Sequence, residues 1–201
     1  GDLVAVVRKG VDGLILPKVE TVDELRAAEW VIGNIEKERG LAAGGIDLIP
    51  IIETAKGLAN LRAIATAGTR IKRIAFGAGD FTLDVAMAWT RSEAELLPYR
   101  SEGALASRAG NLEAPLDTVW AELKDSEGFR ASAVHAKNLG FQGKMCIHPD
   151  QVPVVNEVFA PTATEVEWSR KAVAAFAEAE KAGSASIQLE GKFIDYPIVY
   201  R

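Results

Sequence analysis

Apolar residues fall into two alternating patterns along this chain: short, nearly continuous runs bounded by polar residues, and longer stretches in which they return every three or four positions. The first pattern is that of a strand buried on both faces, the second that of an amphipathic helix. The clearest instance runs from Ile46 to Asp80. DLIPII and RIAFG read as strands, and between them TAKGLANLRAIATAG sets Leu58, Leu61, Ile64 and Ala65 at helical spacing. Strand, helix, strand in that order predicts a parallel pair.

The same rhythm extends in both directions. VDGLILPK is a short apolar run closing at Lys18, and Val22, Leu25, Ala28, Val31, Ile32 and Ile35 then mark one face of a helix that stops at Gly40. Beyond Asp80 the pattern loosens through FTLDVAMAWTRSEAELLPYR, longer than an ordinary connection, and such excursions at a strand's exit are often functional. A helix over 101–109 follows, then a short strand in LEAPLDTV with Asp117 near its exit, and a helix over 127–139 ending at Gly140. GFQGKMCIHPD supplies a fifth strand, with Cys146 in the apolar run as a core residue and His148 at the exit. Helices over 150–158 and 162–181 come next, the second with Thr162 as N-cap and Glu165 as its capping-box partner. AGSAS breaks the pattern, and SIQLEGKFIDYPIVYR reads as a separate element.

Five strand and helix units in succession predict a parallel α/β sheet, either doubly wound or part of an eightfold barrel. GAGD has the wrong spacing for a glycine-rich phosphate loop, which favours the barrel. The expected division is residues 1–160 as the barrel part and 161–201 as a C-terminal helix and extension.

In such sheets the chemistry sits on the loops leaving the carboxyl ends of the strands. Glu53 and Asp80 each stand where a strand gives out, so they are expected to share one mouth, with Lys18, Asp117 and His148 on the same rim. Two carboxylates close together call for a cation, and an oxygen-only pair suits a hard divalent ion. The alternative is that each acid caps the helix that follows it, Glu53 the one starting near Thr54 and Asp80 a short one over 81–88. Lys18 has two readings, a partner for a carboxylate or phosphate group and a simple pair with Glu20 or Glu53. His148 is either a general base or a hydrogen-bonded positioning residue. Arg100 and Arg108 are expected on the solvated side of their helix, and His135 has no evident partner.

Composition narrows the partners. The 201 residues carry 23 basic and 28 acidic side chains, net -5, with neither sign gathered into a run, which argues against nucleic acid and anionic membrane. One cysteine rules out an internal disulfide or a cysteine-based zinc cluster and fits a reducing, cytoplasmic setting. No stretch has the length of a membrane span or the layout of a signal peptide. The chain opens on Gly1, and DLVAVVRKG reads as the tail of a helix, so a preceding segment is expected.

LILPKVET, IIET, FGAGDFTLD, GKMCIHPDQV and GKFIDYPIV together resemble the citrate lyase beta-subunit-like branch of the HpcH/HpaI aldolase and citrate lyase superfamily. The resemblance implies a (β/α)8 TIM barrel, of which this chain holds strands four to eight, plus a C-terminal lid. It implies a carbon-carbon lyase of 3-hydroxyacyl-CoA thioesters such as citryl-, malyl- or citramalyl-CoA, dependent on Mg2+ or Mn2+. Glu53 in IIET and Asp80 in GAGD match the metal ligands, Asp195 in FIDYP matches the catalytic aspartate of the extension, and Ile147 to Pro149 match the strand end beside the thioester. Lys18, Glu53 and His148 are then the substrate-binding candidates, and a homo-oligomer, trimer or hexamer, is expected. The upstream arginine that grips the substrate carboxylate in this family has no counterpart here. A class II aldolase of free 4-hydroxy-2-oxo acids, or a non-catalytic subunit of the same fold, are the competing readings.

Overall fold

The structure, a computed structural model, describes residues 1–200 and divides into two units, Gly1–Phe159 and a second beginning at Ala160. In the first, a short helix α1 (Asp2–Val6) precedes β1 (Gly13–Leu16), α2 (Val22–Glu38), β2 (Asp47–Ile52), α3 (Ala55–Ala59), α4 (Leu61–Ala65), β3 (Ala75–Phe76) and α5 (Ala78–Asp84). A turn of 3-10 helix (Ala94–Leu96) leads into α6 (Leu97–Ala109), then β4 (Leu116–Asp117), α7 (Ser126–Asn138), β5 (Gly143–Lys144) and α8 (Gln151–Phe159). The five strands form one parallel sheet in chain order, so that all five exits lie along one edge.

Parity along the strands decides what faces what. Leu14 pairs with Leu48 and Leu16 with Pro50, and these residues, with Ile52, turn toward the helices, where Leu25, Ala28, Ile32 and Ile35 of α2 and Leu61 and Ile64 close the core. Each of the larger side chains, fully buried there, contributes about 1.5–3 kcal/mol. Residues of opposite parity, Ile15, Ile49 and Ile51, turn to the other face, and Glu53 continues their row past the end of β2. Thr21 and Glu24 form a capping box that starts α2, and the buried carboxylate of Glu36 ties its far end to Arg70 and to the amides of Gly44 and Ile46.

Several elements depart from the sequence expectation, each for a local reason. β4 is short because Pro115 has no N–H to give, and β5 because the chain leaves the sheet where the Ile147 amide is taken by the Gln151 side chain. Cys146 is therefore not a mid-strand core residue: it is half-buried in the loop, where burial raises its thiol pKa above the ordinary range. α5 begins at Ala78 rather than Phe81, which puts Asp80 inside its first turn. α6 begins at Leu97, with Pro98 in its first turn, and it is not a helix with Arg100 in solvent, as the next section details.

The second unit holds α9 (Ala163–Lys181), opened by the Thr162–Glu165 capping box, an antiparallel hairpin β6 (Ser186–Leu189) and β7 (Lys192–Asp195), and α10 (Tyr196–Val199). Its own small core joins Ala172 and Phe176 of α9 to Ile194, with Tyr196 set edge-on to Phe176.

Candidate active site at the carboxyl ends of the strands

Three consecutive strand exits converge on one pair of acids. Lys18, the second residue past β1, has φ 53, a left-handed backbone that is uncommon for a residue with a side chain and marks a locally imposed conformation. That turn aims its amide at Glu53, whose Oε1 accepts the hydrogen bond at 2.9 Å. It also carries the lysine ammonium to Asp80, with Nζ 3.3 Å from Oδ1. One residue thereby touches both acids.

Glu53 is 7% exposed. Its place depends on the residue across from it: Ile51 pairs with Ala75, so the next residues of that parity, Glu53 and Gly77, stand opposite each other. A Cβ at Gly77 would lie 2.6 Å from Glu53 Oε2 and 2.7 Å from its Cβ. Gly77 is thus the space that the carboxylate fills. Burial raises the Glu53 pKa above its ordinary value, the Lys18 amide opposes this, and the neighbouring Asp80 charge adds to the rise.

The capping alternative fails for Glu53. Thr54 caps α3 through the Gly57 amide, and the Ala55 amide is satisfied by Asp84, leaving Glu53 no helix end to serve. Asp80 does lie in the first turn of α5, where any acid is favoured by the helix dipole. The start of α5 is nevertheless held by Thr118, whose Oγ1 accepts from the Ala78 amide at 2.8 Å. Lys18 pairs with neither Glu20 nor the Glu53 carboxylate through its ammonium; Lys56 takes Glu20.

The donor set fits a hard divalent ion: two carboxylates, one desolvated and one half-exposed, the second already drawing the Lys18 ammonium. Among the described residues no group of three or more His, Cys, Asp and Glu side chains is arranged to hold an ion by itself. Glu53 and Asp80 would be the protein ligands, with water or substrate oxygens completing the shell.

The other candidates are placed differently. His148 follows β5 on the same edge, exposed, with Nδ1 accepting from the Asp150 amide at 3.2 Å and lying 3.6 Å from the Asp150 carboxylate. Asp117 ends β4 on that edge as well, but its side chain is fully buried and turned toward the helices, so the expectation that it lines the rim is corrected. Arg100 of α6 reaches it with Nε and Nη2 at 2.8 and 2.9 Å, and Lys144 Nζ lies 2.6 Å from Oδ2. Arg100 Nη2 also meets Glu93 at 2.8 Å, and the Ser132 hydroxyl donates to the same Glu93 oxygen. The expectation of a solvated Arg100 is therefore wrong: it is 0% exposed, at the centre of a buried quartet of two cations and two anions. No periodicity signalled this, because the partners lie on a loop and two strands. Asp195 belongs to the second unit, where it ends β7 and caps α10, its Oδ1 accepting from the Ile198 amide at 3.3 Å.

In parallel α/β sheets chemistry sits on the loops at the carboxyl edge, and there this chain sets an acid pair and a lysine at neighbouring strand exits. The chain belongs to the HpcH/HpaI aldolase/citrate lyase family, whose model matches residues 1–149. It is 38% identical to the citrate lyase subunit beta of Leuconostoc mesenteroides subsp. cremoris over 200 residues, covering 100% of this chain and 66% of that protein. It is 31% identical to the mitochondrial citramalyl-CoA lyase of Mus musculus, covering 92% of this chain and 57% of that one. Among solved structures it resembles protein CitE of Mycobacterium tuberculosis in complex with magnesium and pyruvate, with TM-score 0.60 and 27% identity over 77% of this chain and 60% of that one. The chain thus spans about two thirds of the length of the citrate lyase relative. No helix among the described residues is long and apolar enough to cross a membrane.

Proposed function

We propose that this chain carries the metal-binding half of a Mg2+-dependent carbon-carbon lyase that cleaves or forms a 3-hydroxyacyl-CoA thioester of the citryl-, malyl- or citramalyl-CoA type. The observation that supports the reading is the convergence of Glu53 and Asp80 on Lys18 at the strand exits. The relatives named citrate lyase subunit beta and citramalyl-CoA lyase, and the neighbour solved with magnesium and pyruvate, point to the same chemistry. The five strands then correspond to strands four to eight of an eightfold barrel. Their unbroken chain order favours this, since a doubly wound sheet reverses its order at a switch point.

Cleavage passes the proton of the substrate hydroxyl to a base or solvent, breaks the adjacent carbon-carbon bond to leave a 2-oxo acid, and passes the electron pair to a thioester enolate that takes up a proton at carbon, so that no proton is gained or lost overall. Glu53 and Asp80 would hold the divalent ion, which would supply Lewis-acid polarisation of the substrate oxygens. Burial of Glu53 keeps its carboxylate weakly solvated and ready to exchange a proton for a cation. The Lys18 ammonium, released from Asp80, is left to meet the substrate's anionic groups, and His148 positions the thioester end. Asp195 exchanges the proton at the enolate carbon. The second unit serves as the lid that brings Asp195 to the site, in a cytoplasmic homo-oligomer, trimer or hexamer.

The test is release of a keto acid from citryl-, malyl- and citramalyl-CoA by the full-length polypeptide with Mg2+. Metal-dependent release from one of them, lost in Glu53→Gln, is the expected result. Turnover only of a free 4-hydroxy-2-oxo acid, or of nothing at all by a protein that still binds the metal, would overturn it.

A further inference from the structure

The long excursion between α5 and α6 is built around one acid that the proposed chemistry does not use. Glu93 is 2% exposed and has φ 52, a left-handed conformation that is strained in a residue with a side chain and persists only where its surroundings dictate it. Its carboxylate supplies the reason. Oε2 receives Arg100 Nη2 and the Ser132 hydroxyl, which anchors it to α6 and α7, while Oε1 accepts the indole N–H of Trp89 at 3.2 Å.

Trp89 in turn lies against the acid pair's own helix. Its ring edge, Cζ3, lies 3.7 Å from where a Cβ on Gly79 would stand, beside the residue immediately before Asp80. It also packs on the cluster of Phe76, Ala78, Phe81, Leu96, Ala136 and Phe141, two members of which, Ala78 and Phe81, bracket Asp80 in sequence. The rest of the excursion is cross-bonded: the Met87 amide donates to the Thr82 carbonyl at 2.8 Å, and the Thr90 hydroxyl to Glu95 at 2.9 Å. α5 has only seven residues and Gly77 at its N-cap, so it has little of its own to hold its first turn in place. Thr118 holds that turn through the Ala78 amide, and the Trp89 ring lies beside it.

We propose that Trp89 is a positioning residue for Asp80, fixed by Glu93, so that the buried charge quartet sets the geometry of the acid pair. The proposal rests on the reading of Glu53 and Asp80 as ligands of a divalent ion, and its test separates the two. Trp89→Phe keeps an aromatic ring and deletes the N–H that Glu93 holds. Phe141→Leu disturbs the same apolar cluster without touching Gly79 and serves as the control for a merely structural loss. Two quantities are read on each full-length protein: Mn2+ affinity, from free-ion electron paramagnetic resonance, and hydrogen exchange of the Ala78 and Phe81 amides without metal.

Trp89→Phe is expected to weaken Mn2+ about 10-fold, the lower end of the scale for supporting interactions around a metal site. It should also speed exchange at both amides, while Phe141→Leu lowers the melting temperature with neither effect. Unchanged exchange at both amides in Trp89→Phe would overturn the positioning role. Faster exchange in a protein whose parent binds no Mn2+ would keep the positioning role and refute the metal reading instead.

Discussion

Glu53 and Gly77 stand opposite each other past the ends of β2 and β3, and the absence of a side chain on one is what gives the other's carboxylate its place. The backbone at Gly77 is at φ -113, which any residue adopts, so only space is at issue. Gly77→Ala would put a methyl 2.6 Å from Glu53 Oε2 and force the acid aside. The fold should survive with a loss of about 1–3 kcal/mol. Turnover should fall about 10²-fold, the scale of a misplacement near 1 Å at a reacting centre. Denaturation and steady-state kinetics on the same preparation check both halves.

The quartet of Arg100, Asp117, Lys144 and Glu93 is a matter of stability first. Arg100→Met keeps much of the side-chain bulk, leaves Asp117 with Lys144 alone and strips Glu93 of its cation. Breaking a buried ion network in this way should cost about 3–5 kcal/mol in chemical denaturation. An exposed pair such as Arg130 with Glu157, 45% and 68% exposed, should cost below about 1 kcal/mol when Arg130 is replaced by Ala.

A pH dependence follows from Glu53. Its folded-state pKa is raised above the ordinary 4.5, first by burial, so the metal-free folded chain holds this proton where the unfolded chain has released it. The folded state then binds more protons across that window, and its stability from this group falls as pH rises from about 4.5 through the raised value. Glu53→Gln removes the group. The mutant should therefore gain stability relative to its parent as pH rises through the window, and the two should run parallel below it. Paired melting curves across acidic to neutral pH read the difference, in which the oppositely shifted Asp125, lowered to about 2 chiefly by Arg91, cancels.

What the sequence made legible was repetition. The strand and helix units, their parallel order and the Thr162–Glu165 capping box are local patterns, and Glu53 and Asp80 stood out because each ends a recognisable run. Contacts formed between distant residues left no such trace. Arg100 looks like any arginine on an amphipathic helix, and only the fold brings Glu93, Asp117 and Lys144 around it. The inward turn of Asp117 was illegible for the same reason: position gives the edge a residue occupies, whereas its partners decide which way its side chain goes. The left-handed turn at Lys18, which lets one residue serve both acids, has no glycine to announce it.

Asp195 can be separated from its structural duty. Its carboxylate caps α10 through the Ile198 amide, a role that Asn fills about as well as Asp. Asp195→Asn should keep the hairpin and α10, with turnover lowered about 10²-fold or more if the acid exchanges a proton with substrate. Asp195→Ala should lose the cap as well, about 0.5–2 kcal/mol of local stability. Equal turnover in Asp195→Asn and the parent would assign this residue to the cap alone. Recovery of activity on mixing Glu53→Ala with Asp195→Ala proteins would show that the lid works between subunits.

The most direct measurement is the stoichiometry of Mn2+ bound per chain, by free-ion electron paramagnetic resonance, in the parent, Glu53→Gln and Asp80→Asn proteins. One ion per chain in the parent, lost or weakened at least about 10-fold in each single variant, is the result expected of two acids sharing one ion. Undiminished binding in either variant, or none in the parent, would contradict the shared site.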